Sequence, residues 1–328
     1  MALRELVKGA KPLMRTWEIA VAAVLLVACL AVGLVAAEWL APQPVVGVVR
    51  FDREISFDTA LPLIGLLESA RDDDRIAAVV LEVASPGGLA TSSESIFHTL
   101  MSLRAKKPLV VVVDGLAASG GYYLAAAANR LFAPASSYIG NVGTRASRPA
   151  DPSISSDELS SGPYKLEGGS RFDRIRQVQL VADAFVTHVV AQRAQSPVNP
   201  LQLTADEVAE ARLYLGSEAL ALGLIDEEGS RVDAIDAAAE LAGLQSFQVI
   251  ELPSYYGYNT PPPQPIDVAV ARMVAGAPPD SIYMLDSRIP LPDTAAAPLA
   301  KQLLDPIGAA KPPQTLPALL PQAAGGQP

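Results

Sequence analysis

The chain has 328 residues, half of them hydrophobic and 5% aromatic, which is enough for one or two domains. Its net charge of −10 argues against a general role in binding nucleic acid. A single cysteine, Cys29, excludes an intrachain disulfide and a cysteine zinc cluster, and the presence of only two histidines, His98 and His188, limits any mechanism that needs histidine.

Residues 1–18 are predicted to be a cytoplasmic segment in front of a transmembrane anchor at residues 19–37. The 19 residues from Ile19 to Ala37 are apolar or glycine, which is long enough to cross a bilayer. Lysine and arginine dominate the preceding segment, so the positive-inside rule places the N-terminus in the cytoplasm and the rest of the chain outside it. We favour an uncleaved anchor over a signal peptide cleaved near Ala37, because a signal peptide usually has an apolar run of only ~7–15 residues.

Strands and helices alternate after this segment. Apolar runs and helical spacing predict strands at Pro44–Phe51, Ala77–Val83, Leu109–Val113, Arg130–Ala133 and Tyr138–Val142, and helices at Thr59–Ala70 and Ser92–Leu103. Fully apolar strands separated by helices indicate an α/β fold whose parallel sheet is buried on both faces by flanking helices.

The stretch Asp114–Tyr123, D-G-L-A-A-S-G-G-Y-Y, joins a buried strand to an alanine-rich helix and places Ser119 at the turn between them. The neighbours of Ser119 are small, so another backbone can approach its hydroxyl, and the amides that follow it are unpaired donors. A serine in this setting is a candidate nucleophile with an oxyanion donor beside it. The plain alternative is a serine N-cap before a glycine-rich turn.

A second glycine-rich turn, Ser85-Pro86-Gly87-Gly88, follows the preceding strand. Ligands gather at the carboxyl ends of parallel strands, and glycine amides are free donors there. We therefore predict an oxyanion hole with one backbone amide from each turn, Gly88 and Gly120. A simple β-to-α turn is the plain alternative for the first of them.

A serine nucleophile also needs a base. Both histidines lie in predicted helices among apolar neighbours, where packing is the plain explanation. Lysine is a known alternative base when desolvation lowers its pKa and leaves the amine neutral. Lys165, in a glycine-rich loop, is the candidate, although most loop lysines are exposed cations and Glu167 is close enough in sequence to keep it charged.

Together these residues resemble the signal peptide peptidase family, also called protease IV, over roughly residues 44–242. In chain order the matching pieces are the N-terminal anchor, S-P-G-G at 85–88, A-A-S-G-G-Y-Y at 117–123, G-P-Y-K at 162–165, residues 185–193, and A-R-L-Y-L-G-S-E-A-L-A-L-G-L-I-D-E-E at 211–228. Each piece is short, and their order and number make the resemblance specific.

The resemblance implies a membrane-anchored serine–lysine peptidase with a Clp protease/crotonase-like fold and no metal or cofactor. Ser119 is then the nucleophile and Lys165 the general base. Members of the family usually carry G-S-(I/V)-G, whose serine holds the lysine amine. Here Asn141 of G-N-V-G takes that place, and its side-chain oxygen can accept a hydrogen bond.

The resemblance also implies substrates and partners. The expected substrates are extended apolar peptides, such as signal peptide remnants or membrane protein fragments, cleaved at the outer face of the cell membrane by a single-pass protein. The family's short members are homo-oligomers in which Lys165 can serve the serine of a neighbouring subunit. The peptide is expected to add as a strand beside Tyr138–Val142 or Pro86–Leu89.

The peptidase domain is predicted at residues 44–252, followed by a Pro/Ala-rich and mostly disordered extension at residues 253–328. The extension holds 16 of the 28 prolines, and only short tracts such as Ile266–Val274 are apolar enough to dock as a helix or strand. The alternative function is a catalytically weak or inactive membrane scaffold that binds peptides or partner proteins. Asn141 and the extension favour that alternative.

Overall fold

The computed structural model describes residues 16–40, 43–146, 161, 171–258, 262, 264–278 and 281–291. The chain divides into two compact units, Met1–Pro44 and Val45–Pro328. The first unit contains helix α1, Thr16–Leu40. Among the helices of the described residues, none is long and apolar enough to cross a membrane, so the transmembrane anchor predicted at residues 19–37 is not confirmed.

The second unit contains the remaining elements. Its strands are β1 (Val45–Phe51), β2 (Ile76–Ser85), β3 (Gly87–Leu89), β4 (Leu109–Ala118), β5 (Arg130–Ala133), β6 (Tyr138–Gly140), β7 (Arg145–Ala146), β8 (Leu213–Leu215), β9 (Glu227–Glu228), β10 (Gln248–Glu251) and β11 (Ile282–Leu285). Its helices are α2 (Phe57–Asp72), α3 (Ala90–Arg104), α4 (Gly120–Ala125), α5 (Arg171–Arg193), α6 (Ala205–Ala209), α7 (Gly216–Ala221), α8 (Arg231–Leu241), α9 (Leu252–Tyr255) and α10 (Ile266–Gly276). Every strand and helix predicted before residue 143 has its counterpart.

The main sheet has the strand order β10-β1-β2-β4-β5-β9, with parallel neighbours throughout. Strand β6 runs parallel to the second half of β4, and β8 runs antiparallel to β6. The carboxyl ends of β2, β4 and β6 therefore meet at one edge of the sheet. The predicted α/β fold with a mostly parallel sheet is confirmed.

Side chains of the central strands alternate between the two faces of the sheet. Val49 and Leu81 belong to the cluster that contains the buried residues of α2 and α3. Val48 and Val80 belong to the cluster on the other face, where alanines of α8 cover the sheet. Because both faces are buried, the strand sequences are continuously apolar and do not alternate between apolar and polar residues.

A second sheet, of order β3-β11-β7, is antiparallel and involves the C-terminal extension. Within the described part of this extension, α10 and β11 are regular elements, and the prediction that the extension is mostly disordered stays a prediction. The apolar tract Ile266–Val274 forms most of α10. Its buried side chains pack with Leu89 and with β11 in a cluster of their own.

A buried ion pair joins α5 to the segment between α7 and β9. The Arg193 guanidinium donates to both carboxylate oxygens of Asp226, at 2.7 and 3.1 Å. The same carboxylate accepts from the Leu131 amide at 2.7 Å and from the Ser196 hydroxyl. Both charged side chains are almost fully buried, so each charge is compensated by the other.

We expect Asp226→Ala to lower the free energy of unfolding by about 3–5 kcal/mol, because it leaves a buried guanidinium without its partner. The matched control is Glu210→Ala, which removes a solvent-exposed pair with Arg212 and should cost only about 0–1 kcal/mol. Urea-induced unfolding of the full chain measures both. Equal losses in the two variants would contradict the structural role of the buried pair.

Candidate active site

Ser119 lies between the end of β4 and the start of α4, as the sequence predicts. Its backbone has φ 54° and ψ −119°, a combination that costs a non-glycine residue about 1–3 kcal/mol. Its amide donates to the Gly140 carbonyl at 2.8 Å, and its carbonyl accepts from the Tyr123 amide at 2.9 Å. The surrounding strands and helix therefore hold this serine in a strained and buried position.

The hydroxyl of Ser119 does not cap helix α4. Its oxygen lies 3.4 Å from the Gly143 carbonyl oxygen, at the limit of a hydrogen bond. This geometry is evidence against the plain explanation of Ser119 as an N-cap, in which the side chain would accept from the first turn of the helix. The hydroxyl is thus not used to cap the helix.

The two glycine-rich turns are in direct contact. A Cβ built on Gly87 would lie 2.7 Å from the Gly120 amide nitrogen, and one built on Gly120 would lie 3.2 Å from the Gly87 Cα. A Cβ on Gly121 would lie 2.3 Å from the Ser85 carbonyl oxygen. Only glycine permits these approaches, which bring Gly120 against Gly87, the neighbour of Gly88. The role of Gly88 and Gly120 as oxyanion donors stays a prediction.

Gly88 is also closely packed on its other side. A Cβ at Gly88 would lie 2.0 Å from the Ile55 carbonyl oxygen. That carbonyl accepts from the Leu89 amide at 2.7 Å, and the Ile55 amide donates to the Gly87 carbonyl at 2.9 Å. One edge of β3 is therefore held against the segment before α2. The other edge of β3 pairs with β11.

Asn141 has a positive φ of 55° and is almost completely buried. Its amide donates to the Arg212 carbonyl at 2.7 Å, and its side-chain nitrogen donates to the Ala211 carbonyl at 2.8 Å. Its side-chain oxygen accepts from the Ser287 amide at 3.0 Å. Asn141 thus joins the end of β6 to the segment after β11, and its predicted role in orienting the lysine stays a prediction.

Lys165 lies outside the described residues, so its role as general base also stays a prediction. Both histidines take part in packing contacts. His188 Nδ1 contacts the Tyr123 hydroxyl, and the His188 ring stacks on Phe97. His98 also packs against Phe97 and lies 3.9 Å from Glu94 on its own helix. These contacts agree with the interpretation of the histidines as helix-packing or surface residues, His98 being exposed.

In the structure both expected substrate edges are already paired, and β3 lies between Ile55 and β11. Strand β6 is paired with β4 on one side and β8 on the other, so Tyr138–Gly140 offers no free edge for a peptide. The sequence interpretation also missed β7 and β11, which complete the sheet beside β3. A signal was present, because the run I-Y-M-L at 282–285 follows two prolines and precedes turn residues, which is typical of a short strand.

The chain is similar to known peptidases. The model of Peptidase family S49 matches residues 101–245, and the model named Clp protease matches residues 46–140. These ranges include Ser119, and the first also includes Asn141 and Lys165.

Individual relatives agree with this match. Protease 4 of Salmonella typhi is 29% identical over 76% of this chain and 40% of its own length. Protease 4 of Haemophilus influenzae is 30% identical over 57% of this chain and 32% of its own. Serine protease SPPA, chloroplastic, of Arabidopsis thaliana is 29% identical over 56% of this chain and 28% of its own. The chain spans less than half the length of these three relatives, and the predicted resemblance is confirmed.

We expect Gly121→Ala to destabilise the chain by about 1–3 kcal/mol, because the new methyl group would overlap the Ser85 carbonyl and force α4 away from β2. Gly276→Ala is the matched control, since a Cβ there meets nothing within 4 Å. Thermal unfolding of both full-length variants measures the difference. An unchanged melting temperature for Gly121→Ala would contradict the tight contact between the two turns.

Proposed function

From this similarity to peptidase family S49, we propose that the chain is a serine endopeptidase with a serine–lysine dyad, in which Ser119 is the nucleophile and Lys165 the general base. The setting of Ser119 is the observation that carries the proposal. The serine is strained, its hydroxyl does not cap the helix that follows, and two glycine-rich turns meet beside it. Strain of this kind persists where the surrounding structure holds it and is common at active sites.

In the proposed mechanism, neutral Lys165 accepts the proton of the Ser119 hydroxyl while the serine oxygen attacks the scissile carbonyl. Backbone amides of Gly88 and Gly120 donate to the oxyanion that develops, and Lys165 then delivers a proton to the leaving amine. Water hydrolyses the resulting ester in the same manner. A lysine is cationic in water, so this role requires surroundings that lower the pKa of Lys165.

The substrates and location belong to the same proposal. The substrates are extended apolar peptides, such as signal peptide remnants or membrane protein fragments. The apolar residues 19–37 and the basic segment before them support attachment to the cell membrane, with the peptidase domain outside the cytoplasm. A homo-oligomer, with Lys165 acting on a neighbouring subunit, completes the proposed assembly.

We expect Ser119→Ala and Lys165→Ala each to reduce kcat for a fluorogenic apolar peptide by at least about 10³-fold, because each removes one member of the dyad. Lys106→Ala is the matched lysine control. That lysine is exposed and forms a surface ion pair with Asp72, so its loss should leave turnover unchanged. The assay uses the detergent-purified full chain.

Two results would contradict the proposal. Turnover that survives Ser119→Ala would exclude this serine as the nucleophile. Peptide binding by the wild type without turnover at any pH up to alkaline values would favour the scaffold function instead.

Co-expression of Ser119→Ala with Lys165→Ala tests whether the dyad is shared between subunits. In a randomly mixed ring, about a quarter of the sites would combine an intact serine with an intact lysine from the neighbour. We therefore expect about a quarter of wild-type turnover. Mixed oligomers without any recovery would show that Lys165 acts within its own chain.

A further inference from the structure

Strand β11 lies where an extended peptide substrate would be expected. It pairs antiparallel with β3 on one side, with Met284 opposite Gly88, and antiparallel with β7 on the other, with Tyr283 opposite Arg145. Peptidases and other peptide-binding proteins commonly bind an extended chain as an added strand. We propose that residues 281–287 are a resident pseudosubstrate that must leave this groove before a peptide can enter; the inference rests on the proposed peptidase function.

The carbonyl of Met284 supports this assignment most directly. Its oxygen lies 2.0 Å from the place that a Cβ on Gly87 would take, and 3.0 Å from the corresponding place on Gly120. The oxygen is therefore seated between the two glycine-rich turns whose amides are the proposed oxyanion donors. In this proposal the Met284 carbonyl therefore stands in for the carbonyl that would be attacked.

The side chains of β11 bind it to both walls of the groove. Tyr283 and Leu285 are buried with Leu89 and with residues of α10. Met284 points to the other side and joins the main core. The groove thus accepts apolar side chains on both sides of an extended chain, which matches the apolar peptides of the proposed function.

Polar contacts hold the end of the strand. The Asp286 amide donates to the Pro86 carbonyl at 2.8 Å. The Arg145 guanidinium donates to the carbonyls of Asp286 and Ile289, at 3.1 and 2.8 Å. The Ser287 amide donates to the side-chain oxygen of Asn141 at 3.0 Å. The contacts come from the loops that surround Ser119, so the segment after β11 covers the site.

Leu285 offers a way to loosen this occupant without disturbing the main sheet. Leu285 and the buried residues of α10 form a cluster that is separate from the clusters on the two faces of the main sheet. A tethered strand also has a high effective concentration, in the millimolar range for short tethers. A free peptide therefore competes with it, and the apparent affinity for substrate falls with the fraction of molecules whose groove is open.

The test is Leu285→Asp in the full chain, which places a carboxylate in the apolar cluster that holds β11. We expect KM for a fluorogenic apolar peptide to fall at least about tenfold while kcat stays the same, because the change opens the groove and leaves the dyad untouched. Val232→Asp is the matched control, since Val232 is 65% exposed on α8, and it should change neither constant.

A peptide with the sequence of residues 281–287, S-I-Y-M-L-D-S, provides a second measurement. Added to Leu285→Asp, it should compete with substrate, raising KM without changing kcat. Hydrogen exchange should show faster exchange at residues 282–285 in this variant than in the wild type. Faster exchange with an unchanged KM, or a peptide without effect, would overturn the inference.

Labelling with a fluorophosphonate that reacts with nucleophilic serines separates the two proposals. If the wild type and Leu285→Asp are labelled at Ser119 at the same rate and turn over peptide equally, the peptidase proposal stands and the pseudosubstrate inference is wrong. If neither protein is labelled or turns over peptide, the proposed function itself fails. Slow labelling of the wild type and fast labelling of Leu285→Asp would support both.

Discussion

The site depends on one backbone contact, between the end of β2 and the start of α4. The Ser85 carbonyl oxygen would lie only 2.3 Å from a Cβ on Gly121, so the helix can begin there only because that residue has no side chain. The contact brings Gly87 against Gly120 and seats Ser119 where three parallel strands end. The carboxyl ends of parallel strands lie at one edge of a sheet. This contact packs the two glycine-rich turns at that edge against each other.

A second layer of structure holds the strained residues in place. Ser119 and Asn141 both have positive φ, and each donates its amide to a carbonyl of a neighbouring segment, Gly140 and Arg212 respectively. Strand β8 thereby supports the serine through β6. Local strain of this size is offset when the surrounding structure leaves the backbone no alternative.

Several residues of the run at 211–228 are restricted by packing and charge. A Cβ on Gly216 would lie 2.2 Å from the Pro134 carbonyl oxygen, and Gly223 has a φ of +73° beside the Pro200 carbonyl. Asp226 closes the buried pair with Arg193. These residues make the run recognisable because each meets a packing or charge constraint that few other residue types satisfy.

Local sequence patterns were sufficient to predict the alternation of strands and helices, the turn that carries Ser119 and the glycines beside it. These features follow from local rules, namely continuous apolar runs, small residues at a strand end and alanine-rich helix. Only the tertiary structure decided that β6 has no free edge, that Asn141 binds Ser287, and that β11 lies against β3. Strand neighbours and side-chain partners depend on packing between segments far apart in the chain; 146 positions separate Asn141 from Ser287, and local pattern carries no information about such a contact.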